Sequence, residues 1–249
     1  MKHEFTFRAA SALLLALVGA QSAHAAIAMD RTRVIFDASG RSESLNITNQ
    51  NKNLPYLAQA WVEDEQGKKV ESPLTALPPL QRVEPGAKSQ VKLQVTGGAM
   101  PLAQDKETLF YFNVREIPPK SSKPNTLQIA LQTRVKLFYR PAALTLSNQQ
   151  AEEPQKQLTL TKEGDKYRLT NPTGYYVTIV KAAASEKGTD APGFKADMVA
   201  PKSSMVLSGS ASALGSHPVL TFINDYGGRP QLVFECAGNA CHVSSIKAG

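Results

Sequence analysis

Thr126-Leu-Gln-Ile-Ala-Leu-Gln-Thr-Arg-Val-Lys-Leu-Phe-Tyr-Arg140, closed by Pro141, decides how this chain reads. Leu127, Ile129, Leu131, Thr133, Val135, Leu137 and Tyr139 alternate there with Gln128, Ala130, Gln132, Arg134, Lys136, Phe138 and Arg140. A period of two marks a β-strand. At about 3.3 Å per residue the run would reach roughly 50 Å, more than twice the roughly 17–20 Å of an ordinary strand. One small sandwich cannot pair all of that length. Part should lie in a core, while another part offers Leu127, Ile129 and Leu131 beside an open backbone ladder. Folded proteins normally blunt such an edge with charge, proline or a bulge. An edge left open points to a use for it.

The start of the chain sets the compartment. Lys2 and Arg8 precede an apolar run from Ala9 to Ala20, broken only by Ser11 and Gly19, and Ala23-His24-Ala25 follows as an A-x-A signal. Residues 1–25 read as a secretory signal peptide cleaved after Ala25. The run is shorter than the roughly 20 residues a membrane span needs, so the expected product is exported and soluble. The leader holds two of the 28 basic and one of the 21 acidic residues, so its removal lowers the formal charge from +7 to +6. No arginine-rich run, zinc-finger spacing or aromatic RNA-binding pattern accompanies that surplus, which reads as a solvated surface rather than a nucleic-acid footprint.

With 42% hydrophobic residues the chain can bury cores, and its 16 Gly and 16 Pro fall among short apolar runs, which indicates an all-β fold. Strands are expected over Ile27–Phe36, Ser44–Thr48, Leu57–Glu63, Gln90–Val95, Leu109–Ile117 and Thr126–Arg140, a sandwich of six or seven strands. Asp37-Ala-Ser-Gly40, Asn49-Gln-Asn-Lys-Asn53, Glu65-Gln-Gly67 and Glu84-Pro-Gly86 supply turns. Trp61 reads as a core filler. The second half repeats the theme over Leu158–Leu160, Lys166–Thr170, Tyr175–Lys181, Ser204–Leu207, Val219–Asn224, Gln231–Cys236 and Cys241–Ser245. Leu45-Asn-Ile-Thr-Asn49 and Tyr167-Arg-Leu-Thr-Asn171 look alike, favouring two domains of one architecture. The expected boundary lies just past Pro141, giving domains 26–145 and 146–249 fixed around a cleft.

Cys236 and Cys241 read as a disulfide stapling a C-terminal hairpin. Its short loop would contribute about 2 kcal/mol. Catalytic signatures are wanting. The histidines beyond the leader are His217 and His242, and no zinc-protease, serine-hydrolase or nucleotide-binding motif appears. Ser89-Gln-Val-Lys92 matches S-x-x-K, but it follows a Pro-Gly turn into an alternating strand without companion motifs. Asp105, Glu107 and Asp225 lack metal-ligand spacing and read as ion-pair partners. Taken alone, Arg33 in the first strand and Lys136 in the long one read as solvated charges.

Asp30-Arg-Thr-Arg-Val-Ile-Phe36, Leu54-Pro-Tyr-Leu-Ala-Gln-Ala-Trp61, Leu109-Phe-Tyr-Phe-Asn-Val-Arg-Glu-Ile-Pro-Pro119, Leu127 to Pro141 and Ile223-Asn-Asp-Tyr-Gly-Gly-Arg229 resemble the PapD-type periplasmic pilus chaperones. The likeness runs from Ala26 to about Lys247, densest in the first half and thinner across 183–218. It implies two immunoglobulin-like β-sandwich domains set as a boomerang around a cleft. It also implies a non-enzymatic role: binding pilus subunits by donor-strand complementation and delivering them to an outer-membrane usher. Leu127, Ile129 and Leu131 match the family's donor residues. Arg33 and Lys136 match the cation pair that grips a subunit's C-terminal carboxylate, and Glu107, Arg140 and Asp225 match an interdomain charge network. Pro55 and Pro78 resemble the prolines that hinder usher binding until a subunit is present, and the short loop from Pro118 to Asn125 resembles the class serving rod-forming pili. No cofactor or metal is implied, and the open edge also admits self-capping by a second copy. The competing readings are a fimbrial subunit or adhesin of β-sandwich type and a hydrolase built on Ser89 and Lys92.

Overall fold

The computed structural model describes residues 25–97, 102–147 and 150–249. Residues 1–24 of the expected leader, and Asn148 and Gln149 of the polar connector, lie outside them. The first domain is built from β1 (Ile27–Met29), β2 (Arg33–Asp37), β3 (Ser42–Asn49), β4 (Tyr56–Glu63), β5 (Lys69–Val70), β6 (Leu74–Leu77), β7 (Leu80–Val83), β8 (Lys88–Val95), β9 (Thr108–Ile117) and β10 (Gln132–Arg140). One layer runs β1-β3-β8-β6, and the other β2-β10-β9-β4-β5 with β7 beside β4. Val34, Phe36, Leu45, Ile47, Val62, Phe112 and Leu137 are fully buried between the layers.

The expected first strand is in fact two. β1 pairs with β3 in one layer, β2 pairs with β10 in the other, and Asp30–Thr32 carry the chain across. The long strand is shorter than its alternation: the ladder holds Gln132–Arg140 only. On the β9 side, the bond from the Glu116 amide to the Leu131 carbonyl at 2.9 Å lies beyond the last ladder pair, Gln132 with Arg115. On the other side β2 starts only opposite Lys136. Trp61 is not in the core. Ala58, Ala60 and Val62 point inward along β4, so the residue between the last two faces out, where its Nε1 donates to Glu63 Oε1 at 2.8 Å and Arg115 stacks on its ring.

The second domain holds β11 (Thr159–Glu163), β12 (Lys166–Asn171), β13 (Val177–Ala183), β14 (Asp197–Val199), β15 (Ser203–Val206), β16 (Val219–Phe222), β17 (Gln231–Ala237) and β18 (Ala240–Lys247). Its strands form one hydrogen-bonded series, β14-β13-β16-β17-β18-β11-β12-β15. The series wraps Leu160, Leu169, Ile179, Leu220, Phe222, Leu232 and Phe234, with register shifts in the β13–β16 and β17–β18 pairs that increase its curl. Cys236 and Cys241 are opposed across the β17–β18 hairpin and joined as a disulfide.

The sequence similarity between the halves has a structural counterpart. Asn49 and Asn171 each end a strand and are fully buried. The Asn49 Nδ2 donates to the carbonyls of Leu54 and Val83 while its Oδ1 accepts from the Asn51 amide. The Asn171 Nδ2 donates to those of Tyr175 and Ala200 while its Oδ1 accepts from the Thr173 amide. Both side chains thus tie a turn to a neighbouring segment in a place water cannot reach. Replacing either by alanine strands buried backbone groups and should cost about 3 kcal/mol. Urea titration read by Trp61, the single Trp of the chain, should show an earlier midpoint for Asn49→Ala. An unmoved midpoint would remove the clamp role.

Candidate functional site

β2 runs parallel to β10 with Arg33 opposite Lys136, so both side chains rise from the same face of the sheet. Because β2 begins at Arg33, the edge of β10 preceding Lys136 is unpaired on that side among the described residues. The cation pair therefore stands where the sheet edge opens. Further along the same face, Phe138 and Arg140 are buried. The second domain covers them: the Phe138 and Tyr176 rings lie 5.6 Å apart, and the Arg140 guanidinium sits 5.1 Å from the Tyr175 ring.

Arg33 is only 9% exposed. Its Nη1 donates to the Ile223 carbonyl of the second domain at 3.1 Å, and its guanidinium lies 5.8 Å from the Phe138 ring. Its Nε is buried without a partner among the described residues. Burial lowers the Arg33 pKa, opposed by Asp225 and Glu107. Half-buried Lys136 is likewise lowered, first by burial and then by Arg33, with Asp197 opposing. Two crowded cations with an unfilled donor offer the chemistry that suits an anion. A carboxylate there would relieve both the repulsion and the unmet hydrogen bond.

The other predicted charges converge at the domain junction. Arg140 Nε donates to Glu107 Oε1 at 2.8 Å, while Nη1 and Nη2 grip the Asp225 carboxylate at 2.6 and 3.0 Å. Glu107 Oε2 accepts from the Tyr176 amide at 2.8 Å and its own amide donates to Gly174 O. Burial pushes the Glu107 carboxyl above its ordinary value, against the pull of Arg140 and the Tyr176 amide. The Arg140 guanidinium is held above its ordinary value because the hydrogen bond to Asp225 and the charge of Glu107 outweigh its burial. Gly174 packs closely here: a Cβ would stand 2.9 Å from both the Asp105 carbonyl and a Leu144 methyl. Tyr175 Oη also donates to Leu144 O at 2.7 Å, and Lys202 pairs with Asp105.

Leu127, Ile129 and Leu131 are 85%, 65% and 39% exposed. Gln128, of the opposite parity, turns its Nε2 back to Pro119 O at 2.5 Å. Pro55 and Pro78 are not brought together. Pro55 precedes the end of β4 where Tyr56 meets Val83, whereas Pro78 stands near the other end of that pairing, where Gln59 meets Leu80. Ser89 and Lys92 fall on opposite faces of β8, since Val91 and Leu93 point into the core. The S-x-x-K spacing suits a helix, and a strand separates its two members.

Residues 26–145 match the pili and flagellar-assembly chaperone, PapD N-terminal domain, and residues 153–234 match the pili assembly chaperone PapD, C-terminal domain. The chain belongs to the PapD family of pilus-assembly chaperones. It is 51% identical to the chaperone protein PapD of Escherichia coli over 226 residues, 90% of this chain and 92% of that one. It is 49% identical to the probable fimbrial chaperone YfcS of Escherichia coli (strain K12) over 222 residues, 89% of this chain and 87% of that one. Among solved structures, the periplasmic chaperone SfaE matches at TM-score 0.65 and 31% identity, covering 83% of this chain and 98% of its own. The SafB chaperone, in a structure described as the Salmonella enterica SafA pilin in complex with it, matches at TM-score 0.68 and 26% identity, covering 84% of this chain and 95% of its own. Family membership favours the chaperone over the fimbrial subunit or adhesin, and the family's role is non-enzymatic.

Sequence reasoning missed the Ile223 carbonyl, the paired tyrosines Tyr175 and Tyr176, and Gly174. A backbone carbonyl leaves no mark in composition, although the glycine-rich turn after Ile223 marked the neighbourhood. The junction itself yields a prediction. Glu107→Ala leaves Arg140 with one partner and the Tyr176 amide with none, and should cost about 3 kcal/mol. Asp225→Ala removes a carboxylate that is 30% exposed, and should cost about 1 kcal/mol. Equal losses in urea unfolding would refute this ranking by burial.

Proposed function

We propose that the protein works in the periplasm, after cleavage behind Ala25, as a chaperone that holds pilus subunits by strand addition and passes them to an outer-membrane usher. The observation that carries this reading is the buried Arg33, with an unpaired Nε, beside Lys136 where the β10 edge opens. A subunit's terminal carboxylate fits between the two cations, forked on Arg33 and bonded to the Lys136 ammonium. Its last strand then has one place to go, along the free edge from Lys136 back toward Leu127. A chain that ends at Lys136 and lies beside the preceding residues runs parallel to β10.

Fixing the chain end fixes the register, and a slip of one residue would offer Gln128 and Ala130 where Ile129 and Leu131 belong. Leu131 and Leu127 lie five and nine residues from Lys136, roughly 17 and 30 Å in extended chain. In this reading Leu127, Ile129 and Leu131 fill the groove of an immunoglobulin-like subunit that lacks a strand, each contributing about 1.5–3 kcal/mol. Glu107, Arg140 and Asp225 hold domains 26–145 and 146–249 at a working angle, and Pro55 and Pro78 modulate usher contact. A free chain can cover the same edge with a second copy.

Arg33→Ala and Lys136→Ala should each lower subunit affinity at least about thirtyfold while the protein stays folded and exported. Ile129→Asp should weaken capture because a charge enters an apolar groove. Recovery of periplasmic subunits with each purified variant measures this, and undiminished recovery would sink the anchoring role. Lys136, lowered by burial and by Arg33, gives up its proton below the ordinary lysine value of 10.5. Capture that needs the ammonium is complete at neutral pH and declines as pH rises through that lowered value. Lys136→Met should flatten the alkaline limb of an affinity profile; an unchanged limb would show that the ammonium takes no part.

A further inference from the structure

We propose that the turn Ile223–Gly228 of the second domain is the third component of the carboxylate anchor, and that Asn224 is its positioning residue. The inference rests on the carboxylate-capture reading above. Arg33 is a long side chain at the first position of its strand, and the first domain offers its guanidinium no hydrogen bond among the described residues. Among those residues its one hydrogen bond is to the Ile223 carbonyl, from Nη1. That contact fixes the rotation of the guanidinium plane. It also leaves the edge formed by Nε and Nη2 as the fork for a carboxylate, and Nε is the atom left unpaired.

The carbonyl is held in place from both sides. The Ile223 amide donates to Thr178 O at 3.0 Å, and the next residue closes a tight loop through its backbone, with the Asn224 amide to Gly228 O at 3.1 Å and the Gly227 amide to Asn224 O at 3.0 Å. The Asn224 side chain completes it: Oδ1 accepts from the Gly228 amide at 2.8 Å and the Tyr226 amide at 3.2 Å. Asparagine suits this position because its short acceptor reaches amides two and four residues ahead. Gly227 has φ of +83° and passes so near the residue before Arg33 that a Cβ would stand 3.1 Å from Thr32 Oγ1. One turn thus aims the Ile223 carbonyl at Arg33 and the Asp225 carboxylate at Arg140. Asp225 sets domain orientation, while Asn224, by holding Ile223, sets how well Arg33 meets a carboxylate.

The test separates anchoring from strand pairing. A synthetic peptide of alternating valine and threonine with a free C-terminal carboxylate, and the same peptide as its amide, are titrated calorimetrically into the full exported chain. The wild-type protein should bind the acid at least about thirtyfold more tightly than the amide. Asn224→Ala should reduce that ratio about tenfold with amide affinity unchanged, and Asn224→Ser, whose hydroxyl keeps an acceptor without setting a second carboxylate beside Glu152, should restore part of it. In 15N spectra of the protein with the acid peptide bound, the Arg33 Nε–H resonance should exchange slowly in the wild type and in Asn224→Ser, and rapidly in Asn224→Ala. Gly228→Ala, whose Cβ would stand 3.0 Å from Asn224 Nδ2, gives a second route to the same loss should Asn224→Ala fold poorly. A wild-type ratio near one overturns the capture reading and this inference with it. A wild-type ratio that survives intact in Asn224→Ala, or equal loss of acid and amide binding, overturns the positioning role alone.

Discussion

The parallel pairing of Arg33–Asp37 with Lys136–Arg140 is the constraint on which the rest of the molecule depends. It exists because the first strand leaves one layer at Asp30 and joins the other at Arg33. A strand that continued in a single layer would have no reason to start opposite Lys136. That starting point places two cations side by side, ends the covered part of the β10 edge, and turns Phe138 and Arg140 toward the second domain. The cation pair, the open edge and the domain junction are thus three consequences of one register.

Two arginines within that register meet opposite fates. Arg140 has a carboxylate partner at each nitrogen: Nε bonds Glu107 in the first domain, and Nη1 and Nη2 bond Asp225 in the second. Arg33 is almost as buried but takes one neutral carbonyl and leaves Nε unmet. Burying a charge without a counter-ion is unfavourable. Arg33 therefore carries an unfavourable term that Arg140 does not. The same logic explains why Glu107, deep beside Arg140, is a structural group rather than a receptive one. Its two oxygens are already spoken for by Arg140 and the Tyr176 amide.

Much of this was legible in the residues, and the misses have physical causes. Alternation located β10 and the parity of Leu127, Ile129 and Leu131, but period two describes which way side chains point and not whether a neighbouring strand is present. The ladder therefore stops at Gln132. The likeness of the Asn49 and Asn171 segments was visible as a short repeat, and its cause is a shared buried clamp. The size of Trp61 suggests a core position, but the flanking Ala60 and Val62 decide which face is inward. Prolines within residues 69–83 interrupt the alternation and hide β5, β6 and β7 in the sequence. The Ile223 carbonyl had no sequence signature, since a backbone atom acquires its role only when the second domain folds against the first.

Gly174 places a limit on how this architecture can vary. The two domains approach there to the point that a single methyl would collide with both the Asp105 carbonyl and a Leu144 methyl. Any side chain at that spot acts as a wedge driven into a hinge. The gap it opens would fall along the junction that also carries the reach from Ile223 to Arg33. A hydrogen atom in place of a methyl group thus governs how closely one domain can lie against the other.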